Sequence, residues 1–179
     1  MANMHYCTYE LRPSEETRPQ WAAFVHDAAR LSRALKDARR KGHDMGRVII
    51  DEGGRSVEVN GGYEENGMDD DCMTAEPLDL DMLDMTTQLF ETEFGSSQSR
   101  QKVDAVGRRC MVCDTNHMNY DTAVVATLFL LRHHFQKQDR VTISSDVRTM
   151  EELQDAVFIY SSVFNPKDAN KLAKDMLGV

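Results

Sequence analysis

An α+β fold is predicted from this sequence: an antiparallel meander sheet with helices packed on one face. Three observations carry that reading. Stretches with strand character, several with the period-two alternation of a half-buried strand, fall between residues 47 and 94. Stretches with helical spacing fall on either side of them, over residues 19–41 and through the last third. The resulting order is helix, antiparallel strands, helix, strand, two helices. A chain of 179 residues suits one domain spanning 1–179. It can bury roughly two-thirds of its unfolded surface and needs no staples to fold. No internal repeat or long linker divides it.

The elements follow in order. Residues 3–11 are rich in strand formers and predict an opening strand. Pro19 suits a first helical turn. Trp21, Phe24, Val25, Ala28, Leu31 and Leu35 then recur at helical spacing, up to Lys41 and Gly42, whose charge and flexibility suit a helix end. Residues 47–51 and 55–59 read as strands joined by the hairpin signal Glu52-Gly53-Gly54. Residues 64–76 are acidic and poor in apolar side chains, as a loop would be. Residues 78–82 and 90–94 alternate apolar and acidic residues as strands, and residues 102–113 return as a further strand. Residues 121–135 are apolar nearly all round, which predicts a helix buried on most faces. Residues 141–145 form a short strand. Thr149-x-x-Glu152 is a capping box before Leu153, Ala156, Val157, Tyr160 and Phe164. Asn165-Pro166 then caps a last helix carrying Ala169, Leu172, Ala173 and Met176.

Charge narrows the functional classes. Residues 44–100 hold 15 Asp/Glu against 3 Lys/Arg, while residues 1–43 hold 5 against 8 and residues 101–179 hold 10 of each. The acidity belongs to the middle third. It argues against direct nucleic-acid binding there, because phosphates are repelled, and favours a basic partner or a solvated face. The longest apolar run, residues 123–131, is too short for a bilayer, which needs about 20 residues. The first seven residues have neither a basic start nor an apolar core, so no signal peptide is expected. Four cysteines in a chain this size fit a reducing compartment, hence a cytoplasmic location. No cofactor is expected.

Four constellations bear on chemistry. Cys110-Met-Val-Cys113 with His117 has the residue types of a zinc site. His5, Cys7, Cys72 or the pair His133-His134 offer a fourth ligand. The flanks look like a strand, however, and residues i and i+3 of a strand face opposite sides. His133 and His134 close the apolar helix, where the dipole favours imidazolium. Tyr120-Asp121 reads as a helix start and Ser144-Ser145-Asp146 as a strand end. With no G-x-S-x-G elbow, P-loop, H-E-x-x-H or G-x-G-x-x-G present, a hydrolase rests on residue types alone. The acidic alternation is the most specific feature. Asp79 with Asp81, and Glu91 with Glu93, share strand faces. Same-face neighbours lie about 6.6–6.8 Å apart, close to the spacing of phosphates along one nucleic-acid strand. With Glu58 and the loop residues Asp69, Asp70 and Asp71, such rows could occupy a basic groove. They also suit an ordinary wet sheet face.

One pattern is familiar. Cys113-Asp-Thr115 is followed four residues later by Tyr120-Asp121, then by an apolar helix ending His133-His134-Phe135, then by a strand ending Ser144-Ser145-Asp146. It resembles a group of small uncharacterised proteins of bacteriophages and mobile elements, which read C-K-T-x-x-x-P-Y-D, an apolar helix and a strand ending S-S-D. Asp114 stands where that pattern has lysine and Asn119 where it has proline. The resemblance implies an origin and an architecture, with no activity attached. The leading expectation is therefore an accessory protein that binds a macromolecular partner with a basic surface, such as a nucleic-acid-binding host protein blocked by an anti-defence inhibitor. A metal-binding protein using Cys110, Cys113 and His117, and a virion or assembly subunit, are the alternatives.

Overall fold

The computed structural model describes residues 4–9, 14–60, 78–81, 102–103, 109–115, 118–135 and 141–179. The α+β class holds. Strand β1 (Met4–Tyr9) is followed by helix α1 (Thr17–Arg40), then β2 (Arg47–Ile50), β3 (Ser56–Asn60), β4 (Leu78–Asp81), β5 (Lys102–Val103) and β6 (Arg109–Asp114). Helix α2 (Asp121–Phe135), strand β7 (Val141–Ser145) and helices α3 (Gln154–Val163) and α4 (Pro166–Leu177) complete the order.

The strands sort into two antiparallel sheets. The expected meander is β2-β3-β4, and a second sheet has the order β5-β6-β1-β7. Helix α1 separates β1 from β2. At 1.5 Å per residue its 24 residues carry the chain about 36 Å. The first strand therefore pairs not with its sequence neighbour but with β6 and β7, both antiparallel to it. β6 and β7 thus run parallel to each other on either side of β1, and α2 is the crossover between them. The return expected over residues 102–113 is divided between β5 and β6.

Helix α2 explains its own composition. Every residue from Ala123 to Leu131 is buried, because α2 packs on α1, α3, α4, β2, β3 and β7. Each sheet has one buried face: His5, Cys7 and Tyr9 alternate inward on β1, and Val57 and Val59 on β3. The expected core residues Trp21, Phe24, Val124, Leu128, Leu131, Leu153 and Tyr160 are buried, with Val25 and Val157 packed at the margin. Among the described residues no helix is long and apolar enough to cross a membrane.

Several local signals act as their chemistry suggests, but the Thr149–Glu152 box closes the turn before α3, whose own N-cap is Leu153 with no side-chain cap. Glu152 accepts from the Thr149 backbone N–H at 3.0 Å and from its hydroxyl at 2.8 Å, while the Glu152 N–H reaches back to Thr149 Oγ1 at 3.4 Å. Asn165 caps α4 by accepting from the Lys167 N–H at 3.0 Å, with Pro166 in the first turn. The β2–β3 turn is held by Asp51, whose Oδ1 accepts from the backbone of Arg55 and Ser56. Those backbone bonds, the one from Ser56 foremost, keep the Asp51 carboxyl below its ordinary range. Trp21 Nε1 donates to the Gly54 carbonyl at 2.7 Å and ties α1 to the same turn.

Candidate functional site

The meander contains the strand positions of Glu58, Asp79 and Asp81. Leu78 and Leu80 are buried and pair with Val59 and Val57. The intervening register positions set Asp79 opposite Glu58 and Asp81 opposite Ser56. On the other side of Glu58 stands Ile49 of β2, which is 45% exposed although apolar. Ile49, Glu58 and Asp79 therefore form one cross-strand row. Glu58 is half-buried and accepts from Asn60 Nδ2 at 2.9 Å. Glu91, Glu93, Asp69, Asp70 and Asp71 lie outside the described residues, as do the strand expected over 90–94 and the loop over 64–76.

The cysteine pair is divided by its strand. Cys113 stands opposite His5 on the core face of β1, and Cys110 stands opposite Thr8, at a position of the other parity. A strand that alternates through both residues does not turn two thiols toward one ion. His117 lies outside the described residues. Among the described residues no group of three His, Cys, Asp or Glu side chains could hold a metal.

A different cluster comes together where β6 and β7 end and α2 begins. His5, buried to 1%, sits in the central strand between Cys113 and Ser145. Its Nε2 lies 2.6 Å from Asp121 Oδ1, and its Nδ1 lies 2.9 Å from Ser145 Oγ. Thr115 Oγ1 donates to the same Asp121 oxygen. Ser145 Oγ also donates to the Met4 carbonyl at 3.1 Å and accepts from the Val147 N–H at 3.1 Å. Asp146 clamps the same strand end: its Oδ1 accepts from the Met4 N–H at 2.8 Å. Cys113, Thr115, Asp121 and Ser145 are all more than 100 residues from His5 in sequence yet gather around it. Sequence reasoning named His5 only as a spare metal ligand. Its signal was the inward parity it shares with Cys7 and Tyr9 on a strand that begins with polar and aromatic residues.

The far end of α2 holds a second polar cluster. Asp27 of α1 accepts from Arg30 Nη1 at 3.0 Å and lies 3.1 Å from His134 Nε2. Arg30 continues to the Val163 carbonyl at 3.0 Å and stacks over the Phe164 ring. His133 and His134 stand in the last turn of α2, as expected, but burial opposes the imidazolium that the dipole favours at His134. Burial pushes its pKa below the ordinary 6.5, outweighing the Asp27 carboxylate, and His133 adds to the depression. Burial raises the Asp27 carboxyl, but Arg30, His134 and His26 outweigh it and hold that group below the ordinary 3.8. Arg30 supplies a permanent positive charge at one Asp27 oxygen, and His134 Nε2 meets the other. This cluster joins α1, α2 and the end of α3.

A shallow depression of about 360 Å³ lies between β7, α2 and α4, lined by Arg132, Thr142, Ile143, Asp175, Gly178 and Val179. It is at the opposite end of β7 from Ser145. No protein-family model, curated protein or solved structure matches the chain.

Proposed function

We propose that the chain is an accessory protein of a bacteriophage or mobile element that binds a basic macromolecular surface through the outer face of the β2-β3-β4 meander. The observation that carries this reading is the register pair Glu58 and Asp79. Like charges at facing positions of an antiparallel pair oppose sheet formation, by roughly 0.2–1 kcal/mol. A cationic group seated over the pair removes that cost. The exposed Ile49 in the same row offers apolar contact beside the charges. The concentration of acidity in residues 44–100 supports the same sign of partner. Inhibition of a nucleic-acid-binding defence protein, by filling its basic groove, is the concrete form of the proposal.

The experiment is a quantitative capture from host lysate. The parent chain and the variant Glu58→Gln/Asp79→Asn/Asp81→Asn serve as paired baits. The proposal expects a basic protein captured by the parent and depleted on the variant. A partner held equally by both baits would place binding elsewhere and overturn the assignment of this face.

A further inference from the structure

The line Asp121–His5–Ser145 carries an inference independent of the partner-binding face. We propose that Ser145 is a nucleophile, with His5 as its proton acceptor and Asp121 as a positioning residue, acting on carboxylic esters of neutral or cationic molecules.

The roles follow from one proton assignment. Asp121 Oδ1 receives the Thr115 hydroxyl and lies 2.6 Å from His5 Nε2, so Nε2 carries the hydrogen that points at the carboxylate. A singly protonated ring then turns its Nδ1 lone pair toward Ser145 Oγ at 2.9 Å, where it shares the one hydroxyl proton with the Met4 carbonyl at 3.1 Å. This is the arrangement of a hydroxyl nucleophile, a base within hydrogen-bond reach and a third group orienting the base. The two ring nitrogens exchange the places they hold in the serine-protease triad. Either nitrogen can accept the proton when the other is held by a carboxylate.

Position supports the same reading. β6 and β7 run parallel and end beside the start of α2. His5 is enclosed by its neighbours, whereas Ser145 is half-buried between the exposed Ser144 and Asp146. Ser145 as a residue is thus nearer the surface than His5. The carboxylates of Asp121 and Asp146 beside it disfavour phosphate esters and other anionic substrates.

The step balances without a cofactor. Ser145 Oγ attacks the acyl carbon while its proton passes to His5 Nδ1, and Asp121 stabilises the resulting imidazolium. The carbon–oxygen bond to the leaving alcohol breaks, and His5 returns the proton to that oxygen. Water then attacks the acyl–Ser145 ester by the same route, releasing the acid and restoring the hydroxyl.

The test uses a fluorophosphonate with an uncharged alkyl chain, incubated with the folded full-length chain and followed by peptide mapping. Oγ–P bond formation expels fluoride and leaves the probe on the nucleophile. The proposal expects an adduct on Ser145 in the folded parent, none at that position in Ser145→Ala, and labelling slowed by about 100-fold or more in His5→Gln. Mapping the parent needs no variant to fold. A folded parent without an adduct on Ser145, or a Ser145 that reacts as fast in the urea-unfolded chain, would overturn the proposal.

Discussion

His5 Nε2 lies 2.6 Å from Asp121 Oδ1, across 116 positions of sequence. The histidine side chain is fully enclosed, while the aspartate side chain keeps 18% of its surface exposed. The contact ties the central strand to the first turn of the central helix. Asp121→Ala removes the acceptor that His5 and Thr115 share. The expected loss is about 1.5–3 kcal/mol, the range for a hydrogen bond to a charged group. Urea denaturation checks it: the midpoint should fall with the slope unchanged. An unaltered midpoint would mean that the pair contributes nothing to stability.

The close approach of Gly46 to Tyr120 makes a second test. Gly46 has φ near +91°, and a Cβ there would lie 2.5 Å from Tyr120 Cβ. Gly42 has nearly the same φ, +90°, but its Cβ would meet nothing within 4 Å. Both Gly→Ala variants incur the cost of a left-handed backbone, about 1–3 kcal/mol. Only Gly46→Ala adds a collision with the segment that starts α2. Thermal melts should therefore show the larger drop at position 46. Equal drops would show that the entry to α2 moves aside freely.

Leu128 reports on the centrality of α2. It is 1% exposed, in a helix enclosed by helices and strands. Leu128→Ala should cost about 2–5 kcal/mol by chemical denaturation. A change near zero would place the helix at the surface.

Acid should weaken the fold in two windows. The folded pKa of His134 is depressed by burial below the ordinary 6.5. The unfolded chain then gains a proton first, so stability present above 6.5 is lost as pH falls from there towards the folded value. Asp27 is also depressed, from 3.8, so its contribution is present above 3.8 and lost as pH falls through the folded value. His134→Gln should flatten the upper window and leave the lower one. Stability curves measured from pH 7.5 to 3 decide it, and an identical upper slope in the variant would refute the assignment.

Much of the fold was legible because local patterns act locally. The apolar circumference of residues 121–135 demanded a helix with neighbours on every side, and Thr149 with Glu152 announced the turn they cap. Strand pairing was less legible. The alternation of His5, Cys7 and Tyr9 says which side chains share a face, but nothing in it names β6 and β7 as partners more than 100 residues away. The His5 cluster was hidden for the same reason. Its members look like a strand start, a strand end and a helix start until the crossover of α2 brings them together. The opposite register parity of positions 110 and 113, by contrast, follows from the strand reading alone.

The meander face is the account's central claim, and association kinetics test it most directly. Once the captured partner is purified, its association rate with the parent and with Glu58→Gln/Asp79→Asn/Asp81→Asn should be measured at two salt concentrations. Thermal melts of the variant and the parent are compared before the rates are read. Electrostatic steering is screened over about 8–10 Å near physiological ionic strength. The parent should associate faster at low salt and slow as salt rises, while the variant should be slower and less dependent on salt. Equal rates and equal salt dependence for the two chains would contradict the claim that this face meets the partner.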